Sequence, residues 1–276
     1  MTFTVTLPEQ RLAPGTTCTL VSDAMGRSIP FSPFGQSGQS GQSGPAVLFC
    51  HAPLPDLRAG TFLDGPQGPV WQIEWSGRLP ADGTAPPCHW LRTLAEPQVQ
   101  AGMSLQLTTR AEGLSLAWIT LSDKGSQGLR EDTSGPTIEE VVTARYPLSL
   151  AKGFVLPDEP RALRALLTDL ALVQGFDLVL TTGGTGLTPR DTTPEATLAA
   201  IEKRLPGFEL AMTMSSLAKT PHGAISRAVA GTLGRTIIVN LPGSPKAVRE
   251  NLQAILPALG HASEKLKGDP SDCATA

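Results

Sequence analysis

The stretch Asp177-Leu178-Val179-Leu180-Thr181-Thr182-Gly183-Gly184-Thr185-Gly186-Leu187-Thr188-Pro189-Arg190-Asp191-Thr192-Thr193-Pro194-Glu195 decides the fold class. It opens on the run Leu178-Val179-Leu180, apolar without alternation, as a strand is when both faces of its sheet are covered. A glycine-rich turn follows, and Thr193-Pro194 reads as a cap with proline at the first helical position. Strand, turn and helix in that order form part of a βαβ unit, and the pattern recurs on both sides. Strands are expected at Leu116 to Leu121, Ser149 to Leu156, Asp177 to Thr181 and Thr236 to Leu241. Helices are expected over Thr137 to Arg145, Arg161 to Val173, Pro194 to Arg204, Phe208 to Leu217 and Lys246 to Leu266. Leu163, Leu166, Leu167 and Leu170 fall at i, i+3, i+4 and i+7, a one-sided core stripe. The second half therefore reads as α/β, a mostly parallel sheet flanked by helices.

Upstream the composition changes. Residues 1–113 carry six arginines and no lysine, whereas all seven lysines lie at or after Lys124. Short runs rich in Val, Leu, Thr and aromatics (Phe3 to Leu7, Thr16 to Val21, Ala46 to Cys50, Val70 to Trp75, Ser104 to Thr109) are separated by turns such as Asp64-Gly65-Pro66 and Ala81-Asp82-Gly83. That spacing predicts a small all-β sandwich or barrel. Gly-Gln-Ser repeats three times between Gly35 and Gly44, which predicts a flexible loop. A chain of 276 residues, 40% hydrophobic, has the apolar sequence for two cores. The expected organisation is a β-rich domain of unassigned role over 1–113, the α/β domain over 114–268 and a flexible tail over 269–276.

Lys plus Arg is 22 against 25 for Asp plus Glu, and the resulting charge of −3 supplies no basic field for nucleic acid or an anionic membrane surface. No apolar stretch approaches the ~18 residues of a membrane span, and the first residues lack a signal-peptide pattern, so a cytoplasmic location is expected. Cys18, Cys50, Cys88 and Cys273 form no CxxC pair and read as reduced thiols. Cys50-His51 and Cys88-His89 add up to a Cys₂His₂ set. Neighbours on a strand point to opposite faces, however, so buried thiols and half-exposed imidazoles are expected rather than zinc.

In an open parallel sheet ligands bind beyond the carboxyl ends of the strands, so the strand-to-helix junctions carry the chemistry. After the first strand comes a long polar loop, Ser122 to Pro136. Its Asp123 either contributes to a site or makes a local turn bond, and Ser134 stands where a helix cap is expected. After the second, Pro157-Asp158-Glu159-Pro160 puts a carboxylate at a helix start, where it is a plain N-cap or a functional acid. After the third, Thr182, Gly183, Gly184, Thr185 and Gly186 outline a phosphate cradle of amides and hydroxyls, the bland alternative being a glycine turn. Asp191 is a candidate Mg²⁺ ligand or a helix cap. After the fourth, Leu241-Pro242-Gly243-Ser244-Pro245 exposes a helix start that suits an anion, with Ser244 placed to cap. With no Gly-x-Ser-x-Gly elbow in the chain, phosphoryl or nucleotidyl transfer ranks above acyl transfer.

These motifs together resemble the molybdopterin adenylyltransferases of molybdenum cofactor biosynthesis. The likeness runs through Ser122-Asp123, Leu156-Pro157-Asp158-Glu159, Thr182 to Asp191 with Thr193-Pro194-Glu195-Ala196-Thr197, Leu205-Pro206-Gly207-Phe208, Ile225-Ser226-Arg227 and Leu241 to Pro245, within residues 114–268. The resemblance implies a homotrimeric nucleotidyltransferase that uses Mg-ATP to adenylate molybdopterin, releasing pyrophosphate and leaving molybdopterin-AMP for a molybdate-insertion protein. By the same resemblance, Asp158 and Asp191 are the catalytic and Mg²⁺-binding acids and Gly183 to Gly186 with Thr182 and Thr185 the phosphate loop. Ser226 is a substrate-pocket serine, and Ser122, Asp123, Pro242, Gly243 and Ser244 complete the binding residues. Lys124 stands where the family often has Arg, a point charge in place of a fork. The competing expectations are molybdate insertion into activated molybdopterin and a non-catalytic molybdopterin carrier.

Overall fold

The computed structural model describes residues 1–8, 12–22, 46–50, 52–78, 87–97, 99, 102–268 and 270. The Gly-Gln-Ser tract, the Ala81-Asp82-Gly83 turn, His51, Cys273 and the tail other than residue 270 lie outside the described residues. The chain divides into two compact units, Met1–Glu112 and Gly113–Ala276.

In the first unit, strands β1 (Thr2–Thr6), β2 (Thr17–Ser22), β3 (Ala46–Cys50), β4 (Phe62–Gly65), β5 (Gly68–Arg78), β6 (Pro87–Thr93) and β7 (Ser104–Arg110) close a barrel in the order β1-β3-β2-β6-β5-β4-β7. Antiparallel pairing of β1 with β7, Phe3 opposite Leu107, seals it and leaves no sheet edge. Val5, Leu20, Leu48, Leu63, Trp71, Ile73, Leu91 and Leu107 fill the interior. Two strands depart from expectation. Asp64-Gly65 is the end of β4, with the reversal at Pro66-Gln67, and β6 begins on a proline, which a strand tolerates at its first residue. Cys50 lies in the barrel core while Cys88 packs with Val21 in a separate cluster, so the two thiols do not form one site. His89, expected half-exposed, is only 7% exposed because its ring pairs with Ser76 Oγ at 2.8 Å.

The second unit runs β8 (Leu114–Leu121), α1 (Asp123–Ser126), α2 (Ser134–Thr143), β9 (Leu148–Leu156), α3 (Pro160–Thr168), β10 (Leu178–Thr182), α4 (Thr193–Leu198), β11 (Lys203–Arg204), α5 (Pro206–Leu217), β12 (Ala230–Leu233), β13 (Thr236–Leu241) and α6 (Pro245–Leu266). Its six-stranded sheet has the order β11-β12-β13-β10-β8-β9. β13, β10, β8 and β9 are mutually parallel, and β12 and β11 add an antiparallel margin. Leu178, Val179, Leu180, Ile237, Ile238 and Val239 are fully buried, as covering both faces demands. β9 lies on one side of β8 and β10 on the other, so the winding reverses between β8 and β10. Their carboxyl ends are the switch point at which open sheets of this kind bind ligands.

Three expectations are corrected. The helix over Pro194 to Arg204 stops at Leu198, and Lys203–Arg204 pairs with β12, where a side chain on Gly231 would strike Ile201 at 2.5 Å. The helix over Arg161 to Val173 becomes a π-turn at Asp169–Val173. α2 is capped by Asp132, whose carboxylate accepts from the amides of Ser134 (3.1 Å) and Gly135 (2.9 Å), and Ser134 instead donates its hydroxyl to the Gly243 carbonyl at 2.8 Å. No helix among the described residues is long and apolar enough to cross a membrane.

Candidate functional site

The glycine turn after β10 is built around main-chain geometry that side chains disfavour. Gly183 and Gly184 have φ of +96° and +63°, in the left-handed region. A Cβ on Gly183 would lie 2.5 Å from the Leu121 carbonyl oxygen, and one on Gly184 2.3 Å from Thr193 Oγ1. The loop is tied from below. Gly183 N–H donates to the Leu241 carbonyl (3.2 Å), Thr193 Oγ1 to that of Gly183 (3.0 Å) and Thr182 Oγ1 to that of Pro242 (2.6 Å). Among the described residues the amides of Gly184, Thr185 and Gly186 donate to no other group, which suits them to an anion. Beneath them Asn240 donates to Thr181 Oγ1 and Thr197 Oγ1, both at 2.9 Å, and locks α4 to the sheet.

Between the ends of β8 and β10 lies a cleft of about 130 Å³ that brings together Ser122, Thr182, Gly183 and Gly243 with the segment Arg130 to Ser134. Asp132 organises its wall, since besides capping α2 it accepts from Thr120 Oγ1 at 2.7 Å. Ser122 Oγ accepts from Gly125 N–H at 3.0 Å and so caps α1. Ser244 Oγ caps α6 by accepting from the Ala247 amide at 3.3 Å. Ser226 closes the short 3-10 turn Pro221–Ile225.

Asp158 and Asp191 lie outside that cleft's lining and border the glycine loop instead. Asp158 Oδ1 is 3.5 Å from where a Gly184 Cβ would stand, and Asp191 Oδ2 2.9 Å from a Gly186 Cβ. Neither acid caps a helix. The N-cap of α3 is Glu159 and that of α4 is Thr192, both without a side-chain capping bond. Asp158 Oδ2 accepts from the Asp123 amide at 3.2 Å, and Asp191 Oδ2 from that of Thr188 at 2.8 Å. Asp123, for its part, reaches far beyond a local turn. Its carboxylate accepts from Asp158 N–H at 3.0 Å and from Arg190 at 2.7 and 2.9 Å, while Arg190 also pairs with Glu159 at 2.9 Å.

The electrostatics separate these acids. The Arg190 guanidinium, followed by the Asp158 amide, holds the Asp123 carboxyl below the usual range. Burial pushes the Asp158 carboxyl above it, and the charges of Asp123 and Asp191 add to the effect. Asp158 and Asp191 each keep one carboxylate oxygen, Oδ1, that accepts no hydrogen bond among the described residues. Two half-engaged carboxylates beside an anion loop fit Mg²⁺, which takes one or two carboxylates plus phosphate oxygens rather than an all-protein cage. Among the described residues no group of three or more His, Cys, Asp or Glu side chains is placed to hold a metal ion.

Three organising side chains escape the sequence reading of the site: Asp132, Arg190 and Arg227. Arg190 adjoins Asp191 in the chain, and that adjacency is the one signal that could have found it. Arg227 binds main-chain carbonyls of Gly186 (2.8 Å) and Asp191 (2.6 Å), and its signal in the sequence is likewise its place, beside Ser226 in Ile225-Ser226-Arg227.

A doubly covered sheet with an amide-rich glycine loop after β10 and two acids bordering that loop defines an α/β domain whose strand ends suit an anionic ligand. The chain belongs to the family described as "Probable molybdopterin binding domain", which matches residues 117–261. It is 40% identical over 161 residues to gephyrin of Dictyostelium discoideum, a match that takes in 55% of this chain but 22% of gephyrin. It is 39% identical over 153 residues to the molybdopterin adenylyltransferase of Helicobacter pylori, covering 55% of this chain and 86% of that protein. Its fold is similar to the crystal structure of the molybdopterin biosynthesis enzyme MoaB of Thermus thermophilus, with 46% identity and a TM-score of 0.53, over 58% of this chain and 99% of that one. The chain thus spans only about a fifth of the length of gephyrin.

Proposed function

We propose that the protein acts in molybdenum cofactor biosynthesis, as a nucleotidyltransferase that moves AMP from Mg-ATP to the terminal phosphate of molybdopterin. The observation that carries this reading is the placement of two half-engaged carboxylates, Asp158 and Asp191, against a loop whose Gly184, Thr185 and Gly186 amides are left for phosphate. The similarity to a molybdopterin adenylyltransferase supports it.

In the reaction a phosphate oxygen of molybdopterin attacks the α-phosphorus of ATP. The bond from that phosphorus to the bridging oxygen breaks, and pyrophosphate leaves. No bond to the protein forms, so the residues position two polyanions and offset their charge. The loop amides hold phosphate oxygens, and the start of α6 at Ser244 adds its helix dipole. Asp158 and Asp191 would hold Mg²⁺, which when bound neutralises phosphate charge. Ser122, Asp123, Thr182, Ser226, Pro242 and Gly243 border or brace the binding surface. A homotrimer fits α5, where Leu210, Met214 and Leu217 at i, i+4 and i+7 form an exposed apolar stripe.

The test is product analysis by mass spectrometry with purified protein, Mg-ATP and molybdopterin. This reading expects molybdopterin-AMP and one pyrophosphate per product. A molybdate-insertion protein or a non-catalytic carrier makes neither.

A further inference from the structure

We propose that Arg227 is the positioning residue of the Asp191 carboxylate, an assignment that rests on reading the glycine loop as a Mg-nucleotide site. The segment from Gly186 to Asp191 leaves the phosphate loop and returns to it, and Arg227 grips both of its ends. Its main-chain N–H donates to the Thr185 carbonyl at 3.0 Å. Its Nε donates to the Gly186 carbonyl at 2.8 Å and its Nη2 to the Asp191 carbonyl at 2.6 Å. The remaining Nη1 pairs with Glu195 in the first turn of α4. Between the two grips the segment closes on itself, with Asp191 N–H on the Thr188 carbonyl at 2.9 Å and Thr188 N–H on Asp191 Oδ2 at 2.8 Å.

The guanidinium therefore touches the backbone that carries Asp191, and acts through it. A planar fork with donors at fixed angles spans two carbonyls at once, which a single ammonium on a flexible stem does not. Freed from that fork, the carbonyls of Gly186 and Asp191 turn to water and the carboxylate loses its place beside Gly186. A displacement of about 1 Å in a positioned group costs on the order of a hundredfold in rate.

The experiment compares full-length wild type with Arg227→Gln and Arg227→Lys. Amide hydrogen exchange of ligand-free protein reads the segment directly, and steady-state kinetics with Mg-ATP and molybdopterin reads its consequence. In Arg227→Gln, exchange at Thr188 and Asp191 should quicken about tenfold or more, as loss of bracing hydrogen bonds predicts, with β10 and β13 unchanged. The kcat should fall about a hundredfold with KM for molybdopterin within about twofold, and Arg227→Lys should fall between. Unchanged exchange at Thr188 and Asp191 in both variants overturns the proposal, as does a rise in KM at constant kcat. If wild type transfers no AMP, the functional reading fails while the exchange data still decide the role of Arg227.

Discussion

The main chain of Asp123 donates to the carboxylate of Asp158 at 3.2 Å, and the main chain of Asp158 donates to the carboxylate of Asp123 at 3.0 Å. This reciprocal brace joins the exits of neighbouring strands β8 and β9, and it gives two aspartates different duties. Asp123, paired with Arg190, stays ionised to lower pH than an ordinary carboxylate, whereas Asp158 is held above the usual range by burial.

Asp158→Asn should cut AMP transfer by about a hundredfold or more, because a neutral amide does not hold Mg²⁺ against its hydration. Its Oδ1 can still accept from the Asp123 amide, so unfolding free energy at neutral pH should not fall by more than about 1 kcal/mol. The folded pKa lies above the unfolded one, so the wild-type carboxylate opposes folding at neutral pH and ceases to do so as pH falls through its folded value. Urea melts of both proteins at neutral and acid pH should therefore converge in acid. A large loss of stability with activity retained would make Asp158 a structural residue.

Gly184→Ala places a methyl 2.3 Å from Thr193 Oγ1 at a φ of +63°. Thr193 must move off the Gly183 carbonyl, and the strained backbone should cost about 1–3 kcal/mol. Calorimetric titration with Mg-ATP should show no binding. Full affinity would mean that the loop is a turn and nothing more.

His89 predicts an acid-sensitive barrel. Burial pushes its imidazole down to about 4 from the ordinary 6.5, against a smaller opposing pull from Asp56. As pH falls below about 6.5 the unfolded chain takes up a proton that the folded chain refuses until about 4, so stability is lost across that window. The loss is on the order of 3 kcal/mol. Denaturation followed by tryptophan fluorescence reads this unit, which holds Trp71, Trp75 and Trp90, three of the chain's 4 tryptophans. His89→Gln should flatten the pH slope, and an unchanged slope would refute the assignment.

Tyr146 ties the α2–β9 connection to the middle of α6. Its hydroxyl donates to the Leu256 carbonyl at 2.7 Å and accepts from Gly260 N–H at 3.1 Å. Tyr146→Phe leaves both without this partner and should destabilise the α/β unit by about 1–3 kcal/mol in a urea melt. No change would show that the hydroxyl adds nothing to what holds α6 in place.

What the sequence discloses here follows physical scale. Leu178-Val179-Leu180 and Ile237-Ile238-Val239 announce strands because burial on both faces removes every polar residue from them. The Leu163, Leu166, Leu167 and Leu170 stripe likewise announces a helix, though only Leu163, Leu167 and Leu170 are fully covered. β11 and β12 stay hidden, since a two-residue strand of Lys203 and Arg204 has no periodicity and the glycine in Ala230-Gly231-Thr232-Leu233 weakens its pattern. β4 and β6 hide behind Asp64-Gly65-Pro66 and Pro87, turn signals that fall at strand ends. Within the site, residues that follow a strand directly are legible from position. The brace between Asp123 and Asp158 spans 35 residues of chain, and the Arg227 grip on Asp191 spans 36. Such pairings arise only when the sheet places the strand ends side by side.

AMP transfer is read most simply with ATP labelled at its α-phosphorus, incubated with the protein, Mg²⁺ and molybdopterin. Label should co-elute with molybdopterin in wild type and be absent with Asp191→Asn, while that variant retains its fold by circular dichroism. Wild-type protein that binds molybdopterin yet leaves all label in ATP, or Asp191→Asn that transfers label at the wild-type rate, would contradict the account.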